Sequence, residues 1–459
     1  EFVAQALQLL HGGRILQVRG RSAPGALRAL AEVDALPAAH AQELETAWCF
    51  LRRVENRLQQ QGERQVHRLP GPGAARAWLA RGLGFEGEAD EAAAAFEARL
   101  QKERVAVRER FDSLFEAAES ERILGLFVRS APRLLASDAS RRMLEDLAAR
   151  LAEALARSPD PERAMNNLAR FVEGVGGRSF YFGLLLDRPE LVPRLAALFG
   201  ASRYLSGILA THPELIEPVF DDPERLVPTR PELEAELAEI RSALRTRGDR
   251  DPTEAELAAL RLFQHRELVN VGLLDLDEKI ELAEVGAALT DVAEVCLEGA
   301  LEVAVAQLLE AVRQVVEAHD FLVVGMGKLG SRELSYGSDL DVIFLYDVPG
   351  AEGPELLEAQ EPFVRLAQKL AWALQTRTPE GVCYEVDARL RPSGNQGVLV
   401  TSLASFVRYH EGSAQLWERQ ALLRARPATG RARLAEAFEA SRRKLLARPL
   451  PPDAPREID

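Results

Sequence analysis

The residues of this chain that are best suited to catalysis or ligand binding lie in one stretch, FLVVGMGKLGSRELSYGSDLDVIFLYD, which runs from Phe321 to Asp347. A strand-like apolar run leads into the glycine-rich turn Gly325–Gly330, and two aspartates, Asp339 and Asp341, stand at the head of a second apolar run. Two kinds of chemistry fit these residues. The turn is either a dinucleotide cradle, as its GxGxxG spacing suggests, or part of a metal and triphosphate site built around the aspartates.

The dinucleotide interpretation depends on the residues after the turn. The fingerprint is a GxGxxG sequence after a strand with a ribose-binding acid further on, and Asp347 lies near that offset. A dinucleotide fold also needs a crossover helix of about a dozen residues or more before the next parallel strand. Here the second strand begins near Asp341, and the gap contains Ser335, Gly337 and Ser338, which disfavour helix. The spacing therefore weighs against a dinucleotide site.

The second interpretation is transfer of a nucleotidyl group from a nucleoside triphosphate to a hydroxyl. The triphosphate is strongly negative, so Mg²⁺ must bridge it to carboxylates, and two ions about 3.5–4 Å apart can stabilise the attacking and the leaving oxygen. Asp339 and Asp341 point to the same side if the backbone is extended, and we predict that both are catalytic metal ligands. The predicted nucleotide-binding residues of this segment are Gly325, Gly327, Lys328, Gly337 and Ser338.

A third carboxylate comes from the sequence YEVDARLRP. Read as a strand, Tyr384–Leu390 places Asp387 and Arg389 on one face and apolar side chains on the other, and the pattern continues to Arg391. We predict that Asp387 is the third catalytic metal ligand or the base that takes the hydroxyl proton. Both arginines are predicted to contact phosphates or the aspartates. The alternative is a charged strand face that meets only water.

The elements that would position these side chains differ in character along the chain. Residues 1 to about 300 repeat apolar side chains at three and four positions, which predicts helices, and residues 283–318 are predicted to be one helix that leads to the first strand. Short β-branched or aromatic runs come next, and Val398–Thr401 is the last of them. The block WERQALLRARP, which ends at Pro427, is predicted to be helical. The fold class is therefore mainly α, with an α/β module after a helical array.

Composition narrows the functional class. The chain has 459 residues, of which 57 are basic and 71 acidic, a formal net charge of −14. Proteins that wrap nucleic acid gain affinity from a basic surplus, so we predict no nucleic-acid partner. No apolar run approaches the roughly 20 residues that span a bilayer, which predicts no membrane contact. Cys49, Cys296 and Cys383 have no metal or disulfide spacing, as expected in a reducing cytoplasm.

Four other features are predicted to be structural. Asp275–Asp277 is a second DxD motif without a glycine turn, and we expect a helix cap or a solvated loop. The Gly174–Arg178 segment is expected to end one helix and let the next begin. Trp417 is expected to pack under the site. The alternative for this segment is that Glu418 or Arg419 braces the catalytic strand. His410 is expected to lie on the surface.

Several long blocks resemble one enzyme family. GMGKLGSRELSYGSDLDVIFLYD is similar to the catalytic signature of the glutamine-synthetase adenylyltransferases, a branch of the DNA polymerase β-like nucleotidyltransferases. VDARLRPSGNQGVLVTS and WERQALLRARP resemble the next two blocks of that family, and GGRSFYFGLLLDRPELVPRLAALFGAS resembles its central helical region. The resemblance implies a polymerase β-like mixed sheet flanked by helices. It also implies AMP transfer from ATP to a tyrosine hydroxyl of glutamine synthetase.

Members of that family carry two catalytic modules in tandem, one that removes AMP and one that attaches it. This chain has one GSDLD-type site, and its Tyr336–Asp339 segment resembles the version found in the second module. The opening EFVAQALQLLHGG is similar to the helix that comes after the first module. We therefore expect the C-terminal, AMP-attaching half. The resemblance further implies that the PII signalling protein and glutamine are regulators.

The predicted domains come from the helical pattern and from this resemblance. Residues 1–120 are expected to form a helical bundle, the tail of a preceding module. Residues 121–300 are expected to form a central helical region with a regulatory role. Residues 301–430 are predicted to be the nucleotidyltransferase catalytic domain, and residues 431–459 the start of a truncated C-terminal helical domain.

Overall fold

The computed structural model of the chain has two compact units, Glu1–Ala156 and Arg157–Asp459. The residues it describes are 1–62, 69–130, 138–176, 178–217, 226–351, 356, 359–392, 394 and 397–449. The stretch Ser158–Pro161, which contains two prolines, lies just after the division between the units. Asp160 then caps the next helix, because its carboxylate accepts a hydrogen bond from the backbone N–H of Arg163 at 3.0 Å.

The described part of the first unit is built from helices and turns. Its helices are α1 Phe2–His11, α2 Ala23–Glu32, α3 Ala38–Gly62, α4 Ala74–Gly82, α5 Ala89–Ser130 and α6 Asp138–Ala156, with a 3₁₀ turn at Leu16–Val18. Leu7, Leu30 and Leu44 belong to one buried cluster, and Leu79 and Phe96 to another. The domain limit predicted at residue 120 falls inside α5.

The second unit begins with another run of helices. They are α7 Pro161–Val175, α8 Ser179–Asp187, α9 Leu191–Ala201, α10 Arg203–Thr211, α11 Arg230–Arg247, α12 Pro252–Leu276, α13 Leu282–Ala306 and α14 Glu310–Ala318, with a 3₁₀ turn at Pro213–Leu215. Asp251 caps α12 by accepting from the N–H of Thr253 at 2.8 Å, as expected before a proline at the first position. Between α7 and α8, Gly176 has a φ of 59°, which confirms the structural interpretation of Gly174–Arg178; Gly177 lies outside the described residues.

The prediction of one helix over residues 283–318 is wrong. The chain leaves the helical conformation after α13 and re-enters it at Glu310, with Leu309 in extended backbone at φ −60° and ψ 145°. No glycine or proline lies in the break. The side-chain amide of Gln307 donates to the hydroxyl of Thr253 at 2.7 Å. Tertiary contacts with α12, which the local sequence does not reveal, accompany the interruption.

A mixed sheet comes next, interleaved with short and long helices. The elements are β1 Asp320–Gly325, α15 Gly327–Ser331, β2 Leu340–Asp347, α16 Gln360–Gln375, β3 Val386–Asp387, β4 Val400–Ser402, α17 Leu403–Gly412, α18 Leu416–Ala421, β5 Arg426–Gly430 and α19 Ala432–Leu446. The strand order is β3-β2-β1-β5, and β4 also pairs with β2. β1 is antiparallel to β2 and β5, whereas β3 and β4 are parallel to β2. The predicted fold class is confirmed.

This topology excludes the dinucleotide interpretation of the glycine turn. β1 and β2 are consecutive antiparallel neighbours, with Phe321 opposite Tyr346 and Gly325 opposite Val342. The helix between them, α15, has five residues. A dinucleotide-binding unit requires parallel strands joined by a full crossover helix. The turn therefore lies in a different fold from the one that its glycines alone suggest.

The two faces of the sheet are buried by different groups of side chains. On one face, side chains of β1 and β2 pack with residues of α17 and α19; the buried members are Leu322, Val324, Ile343, Leu345, Phe406 and Phe438. On the other face, Phe363 of α16 stacks on Tyr346 with ring centroids 4.8 Å apart and on Phe321 at 6.1 Å. Because strand side chains alternate, Asp341 shares the face of Ile343, as the sequence predicts.

Three of the predicted strand and helix limits are wrong. The predicted strand Tyr384–Leu390 is reduced to the two residues of β3, and the predicted Val398–Thr401 shifts to β4 at Val400–Ser402. The predicted helix over WERQALLRARP ends with α18, and its last residues enter β5. The reason is tertiary: the edge of β1 is open to pairing, and β5 fills it, with Val324 opposite Pro427.

Candidate active site

Two of the predicted catalytic carboxylates lie side by side in the sheet. β2 and β3 are parallel, and Asp341 is the direct register partner of Asp387. The N–H of Leu340 donates to the carbonyl of Glu385 at 2.9 Å, which fixes this register. Register partners point to the same face of a sheet. The structure thus brings together two aspartates that are far apart in sequence. The local sequence pattern did not specify that β2 and β3 pair.

Asp339 completes an acidic group at the head of β2. It precedes the strand, is exposed, and raises the pKa of Asp341 together with Asp387. Burial is the largest cause of that raised pKa, and the repulsion from the two neighbouring carboxylates adds to it, whereas Arg389 and Lys328 oppose it. A carboxylate whose charge is disfavoured by other carboxylates lies in a negative potential, which attracts a cation.

Arg389 holds the carboxylate of Asp387. Its Nε donates to Asp387 Oδ1 at 3.0 Å and to Oδ2 at 2.8 Å, its Nη2 also donates to Oδ2, and its backbone N–H donates to Oδ1 at 2.8 Å. These bonds lower the pKa of Asp387. The guanidinium itself is largely exposed, with 70% of the side chain accessible. The predicted phosphate-contacting arginine therefore already has a carboxylate partner at the edge of the site.

The glycine turn lies directly against the Asp341 carboxylate. The N–H of Met326 donates to the carbonyl of Asp341 at 2.8 Å. Gly327 has a φ of 50°, and a Cβ built on it would lie 2.4 Å from Asp341 Oδ2. A side chain at this position would be strained and would collide with the carboxylate. The glycine turn and Asp341 are therefore in direct contact, which the predicted site requires.

The remaining predicted nucleotide-binding residues are placed unequally. Lys328 is exposed on α15, and its Nζ donates to the hydroxyl of Ser335 at 3.2 Å. That hydroxyl lies 2.9 Å from the hydroxyl of Ser338, and nothing crowds Gly337. Arg391 differs, because it donates to the carbonyls of Ala388 at 2.7 Å and Gly397 at 3.2 Å, which ties its side chain to its own loop.

The donor set has the chemistry that magnesium prefers. Asp339, Asp341 and Asp387 offer carboxylate oxygens, the hard ligands that suit this cation. Within the described part of the chain, however, no group of three or more His, Cys, Asp or Glu side chains is arranged to hold a metal ion. Both oxygens of the Asp387 carboxylate accept hydrogen bonds from Arg389. The three carboxylates fit the metal by the chemistry of their oxygens.

Two arginines that were not predicted from the sequence hold the backbone of the site. Arg426 of β5 donates from Nε to the carbonyl of Gly330 at 3.1 Å and from Nη2 to that of Leu329 at 3.2 Å. It lies in the block WERQALLRARP, whose resemblance to the family was the one available signal. Arg261 of α12 is fully buried and donates to the carbonyl of Ala373 at 3.0 Å, so it caps the end of α16 before the chain reaches β3.

The features predicted to be structural have specific partners. Asp275 accepts from the hydroxyl of Tyr336 at 2.9 Å, which joins the end of α12 to the loop before Asp339. Trp417 is 48% exposed, so the prediction that it packs under the site is wrong. The carboxylate of Glu418 is buried and accepts from the hydroxyl of Tyr409 at 2.8 Å, so it braces α17 and not a catalytic strand.

His410 is only partly buried, so the expectation of a surface position is met in part. Its ring lies 4.4 Å from that of Phe406, and burial lowers its pKa to about 4. Its Nδ1 has no hydrogen-bond partner among the residues that the structure describes. The side chain therefore packs as a neutral ring against Phe406, which belongs to the buried cluster on one face of the sheet.

Comparison with known proteins relates the chain to one enzyme family over most of its second unit. Residues 192–441, more than half of the chain, match the glutamate-ammonia ligase adenylyltransferase family. Residues 1–115 match a family described as GlnD PII-uridylyltransferase. The first match contains every predicted site residue.

None of the helices in the described ranges has the length and apolar character needed to cross a membrane.

Three relatives carry the same name, bifunctional glutamine synthetase adenylyltransferase/adenylyl-removing enzyme. The protein of Thioalkalivibrio sulfidiphilus is 34% identical over 97% of this chain and 51% of its own length. That of Chromobacterium violaceum is 33% identical over 97% and 52%, and that of Pseudomonas aeruginosa 34% identical over 99% and 51%. The chain therefore spans about half the length of the curated relatives it matches.

Proposed function

The chain belongs to the glutamate-ammonia ligase adenylyltransferase family, and from this premise we propose that it transfers AMP from ATP to a tyrosine hydroxyl of glutamine synthetase. The transfer lowers the activity of glutamine synthetase and so regulates nitrogen assimilation. The observation that carries the proposal is the register of Asp341 with Asp387 against the glycine turn. The chain corresponds to the AMP-attaching, C-terminal half of the bifunctional relatives.

The reaction exchanges one phosphorus–oxygen bond for another. The tyrosine oxygen forms a bond to the α-phosphorus of ATP, the bond from that phosphorus to the bridging oxygen breaks, and pyrophosphate leaves. Asp339, Asp341 and Asp387 would hold two Mg²⁺ ions, which neutralise charge on the phosphates and on the attacking and leaving oxygens. Asp387 is either one of these ligands or the base that takes the tyrosine proton.

The other site residues bind and orient ATP. Backbone N–H groups at Gly325, Gly327 and Gly337, with the hydroxyl of Ser338, would face the phosphates. Lys328 reaches the β- and γ-phosphates from α15. Arg389 and Arg391 neutralise phosphate charge at the other edge of the site, and Arg389 does so after it leaves Asp387.

The partners and cellular context are part of the proposal. Glutamine synthetase is the protein substrate, and the PII signalling protein and glutamine are the proposed regulators. The match of residues 1–115 to a PII-uridylyltransferase family supports the PII connection. The helical residues 1–300 carry regulation, and residues 301–430 carry the chemistry. The protein acts in the cytoplasm, without nucleic-acid or membrane partners.

Labelled ATP tests the proposal directly. The chain, incubated with ATP labelled at the α-phosphate and with glutamine synthetase, is expected to label glutamine synthetase only when Mg²⁺ is present. A variant of glutamine synthetase that lacks the acceptor tyrosine is the control. If the chain binds glutamine synthetase but transfers no label, and loses no binding when all three aspartates are replaced, it is a catalytically silent scaffold.

Replacing Lys328 with Ala is expected to weaken ATP binding roughly ten- to a hundredfold. A lysine bond to phosphate is charge-assisted and contributes about 1.5–3 kcal/mol. The affinity for AMP should fall far less, because the single phosphate of AMP lies nearer to the metals than to Lys328. Calorimetric titration of parent and variant with ATP, AMP and NAD, with and without Mg²⁺, measures the difference. The matched control is Lys369→Ala, since this lysine lies over the ring of Trp372 on α16.

Replacing Arg389 with Gln is expected to change metal and nucleotide affinity in opposite directions. Without the guanidinium, the Asp387 carboxylate keeps only the hydrogen bond from the backbone N–H of residue 389, and its pKa rises toward the ordinary value, so Mn²⁺ alone should bind more tightly. ATP with metal should bind roughly tenfold more weakly, because a phosphate contact is lost. Electron paramagnetic resonance of Mn²⁺ with and without ATP separates the two effects. Unchanged Mn²⁺ affinity would show that the ion pair does not restrain Asp387.

A further inference from the structure

Helix α13 contains a buried carboxylate that faces the nucleotide turn. The side chain of Glu294 is 6% exposed, and its Oε1 accepts from Nη2 of Arg426. Its other oxygen accepts from Nη1 of Arg230, at the start of α11, at 3.1 Å. A buried carboxylate is tolerated only when it is well paired. Glu294 therefore joins β5 and α11 through one side chain.

Arg426 carries this link to the turn itself. The same guanidinium that pairs with Glu294 donates to the carbonyls of Leu329 and Gly330, at the end of α15. The carbonyl of Leu329 otherwise accepts a long hydrogen bond, 3.4 Å, from the N–H of Arg332, so the guanidinium strengthens the end of this short helix. The segment just before β5 also approaches closely, because a Cβ built on Gly330 would lie 1.9 Å from the carbonyl oxygen of Arg424. The charge of Glu294 thus orients an arginine that fixes the backbone immediately after Lys328.

The same helix holds the chain that leaves the turn. Asp291, one turn before Glu294 on α13, accepts from Nη2 of Arg332 at 2.7 Å. Arg332 has a φ of 62° and comes directly after α15. Gly286 of α13 lies so near that a Cβ on it would meet the Cα of Glu333 at 3.1 Å. α13 therefore contacts the residues just after α15 directly, through one ion pair and one close backbone approach, and it reaches the end of α15 through Arg426.

We propose that Glu294 is a positioning residue for the nucleotide: through Arg426 it holds the glycine turn where its N–H groups and Lys328 meet the phosphates. The inference rests on the proposed function, since it assigns this turn to ATP. Glu294 does not touch the reacting atoms. When its charge is removed, Arg426 keeps its two carbonyl acceptors but loses the partner that fixes its direction. The turn then loosens, and the affinity for ATP falls.

The test compares two neighbouring glutamates of α13. Glu294→Gln is expected to raise the KM for ATP roughly tenfold, in the range that a displacement of about an ångström can cause, while kcat stays within about threefold. Equilibrium binding of ATP with Mg²⁺ should weaken by the same factor. The control is Glu298→Gln, because Glu298 is 42% exposed and pairs at 2.6 Å with Arg230, the partner that it shares with Glu294. The control should keep the KM of the parent.

The outcomes separate positioning from a merely structural role. If Glu294→Gln only lowers the melting temperature and the folded fraction keeps the parent KM, the inference is overturned. Should that variant fail to fold, Arg426→Lys keeps a positive charge beside Glu294 but cannot bridge two carbonyls. An Arg426→Lys variant with the parent KM would then overturn the inference. A parent that binds no ATP with Mg²⁺ would instead overturn the proposed function, and the inference with it.

Discussion

Asp341→Asn is expected to reduce AMP transfer by roughly 10³-fold or more, while the folded protein becomes no less stable. The carboxylate lies between the glycine turn and Asp387, so its loss removes a ligand shared by the metal and the substrate. Asparagine has nearly the same shape and keeps the backbone bonds of β2. Transfer of labelled AMP to glutamine synthetase at saturating Mg²⁺ gives the activity, and thermal unfolding gives the stability.

The sign of the stability effect comes from the raised pKa of Asp341. The folded chain holds the proton more tightly than the unfolded chain, so the free energy of unfolding falls as pH rises through the raised pKa. At neutral pH the charged form costs stability in the absence of metal. The variant lacks this cost, so its melting temperature should equal or exceed that of the parent. The difference between the two melting temperatures should disappear as pH falls below the ordinary pKa of aspartate. Near-normal turnover by the variant would refute the metal-ligand assignment.

Gly327→Ala is expected to lower AMP transfer and ATP affinity roughly a hundredfold. The new methyl group would need to sit 2.4 Å from Asp341 Oδ2 at a φ of 50°, so either the turn or the carboxylate must move. Displacements of about an ångström in an active site cost rates of this order. Steady-state kinetics with ATP and calorimetric titration measure both losses.

Gly412→Ala provides the matched control for that substitution. Gly412 ends α17, has no atom within 4 Å of a built Cβ and has a φ that is not positive. This variant should keep the activity and stability of the parent. If Gly327→Ala matched it in ATP affinity, the close approach of the turn to Asp341 would not matter for binding. The predicted role of the turn would then be wrong.

The sequence by itself determined the features that depend on short spacing. Asp341 and Ile343, separated by one residue, share a strand face because side chains alternate along extended backbone, whereas Asp339 precedes β2. The short gap after Gly330 weighed against a crossover helix, and the helix there, α15, has five residues. The cap at Asp251 needed only an aspartate before a proline. In each case the deciding interaction lies within a few residues.

Only the tertiary structure decided which distant segments meet. The register that sets Asp387 beside Asp341, the bonds of Arg389 to that carboxylate, and the clamp of Arg426 on the turn all join segments whose relative placement no local pattern encodes. Strand formation depends on the partner edge as much as on the strand's own residues, which is why β5 replaced a predicted helix and β3 shrank to two residues.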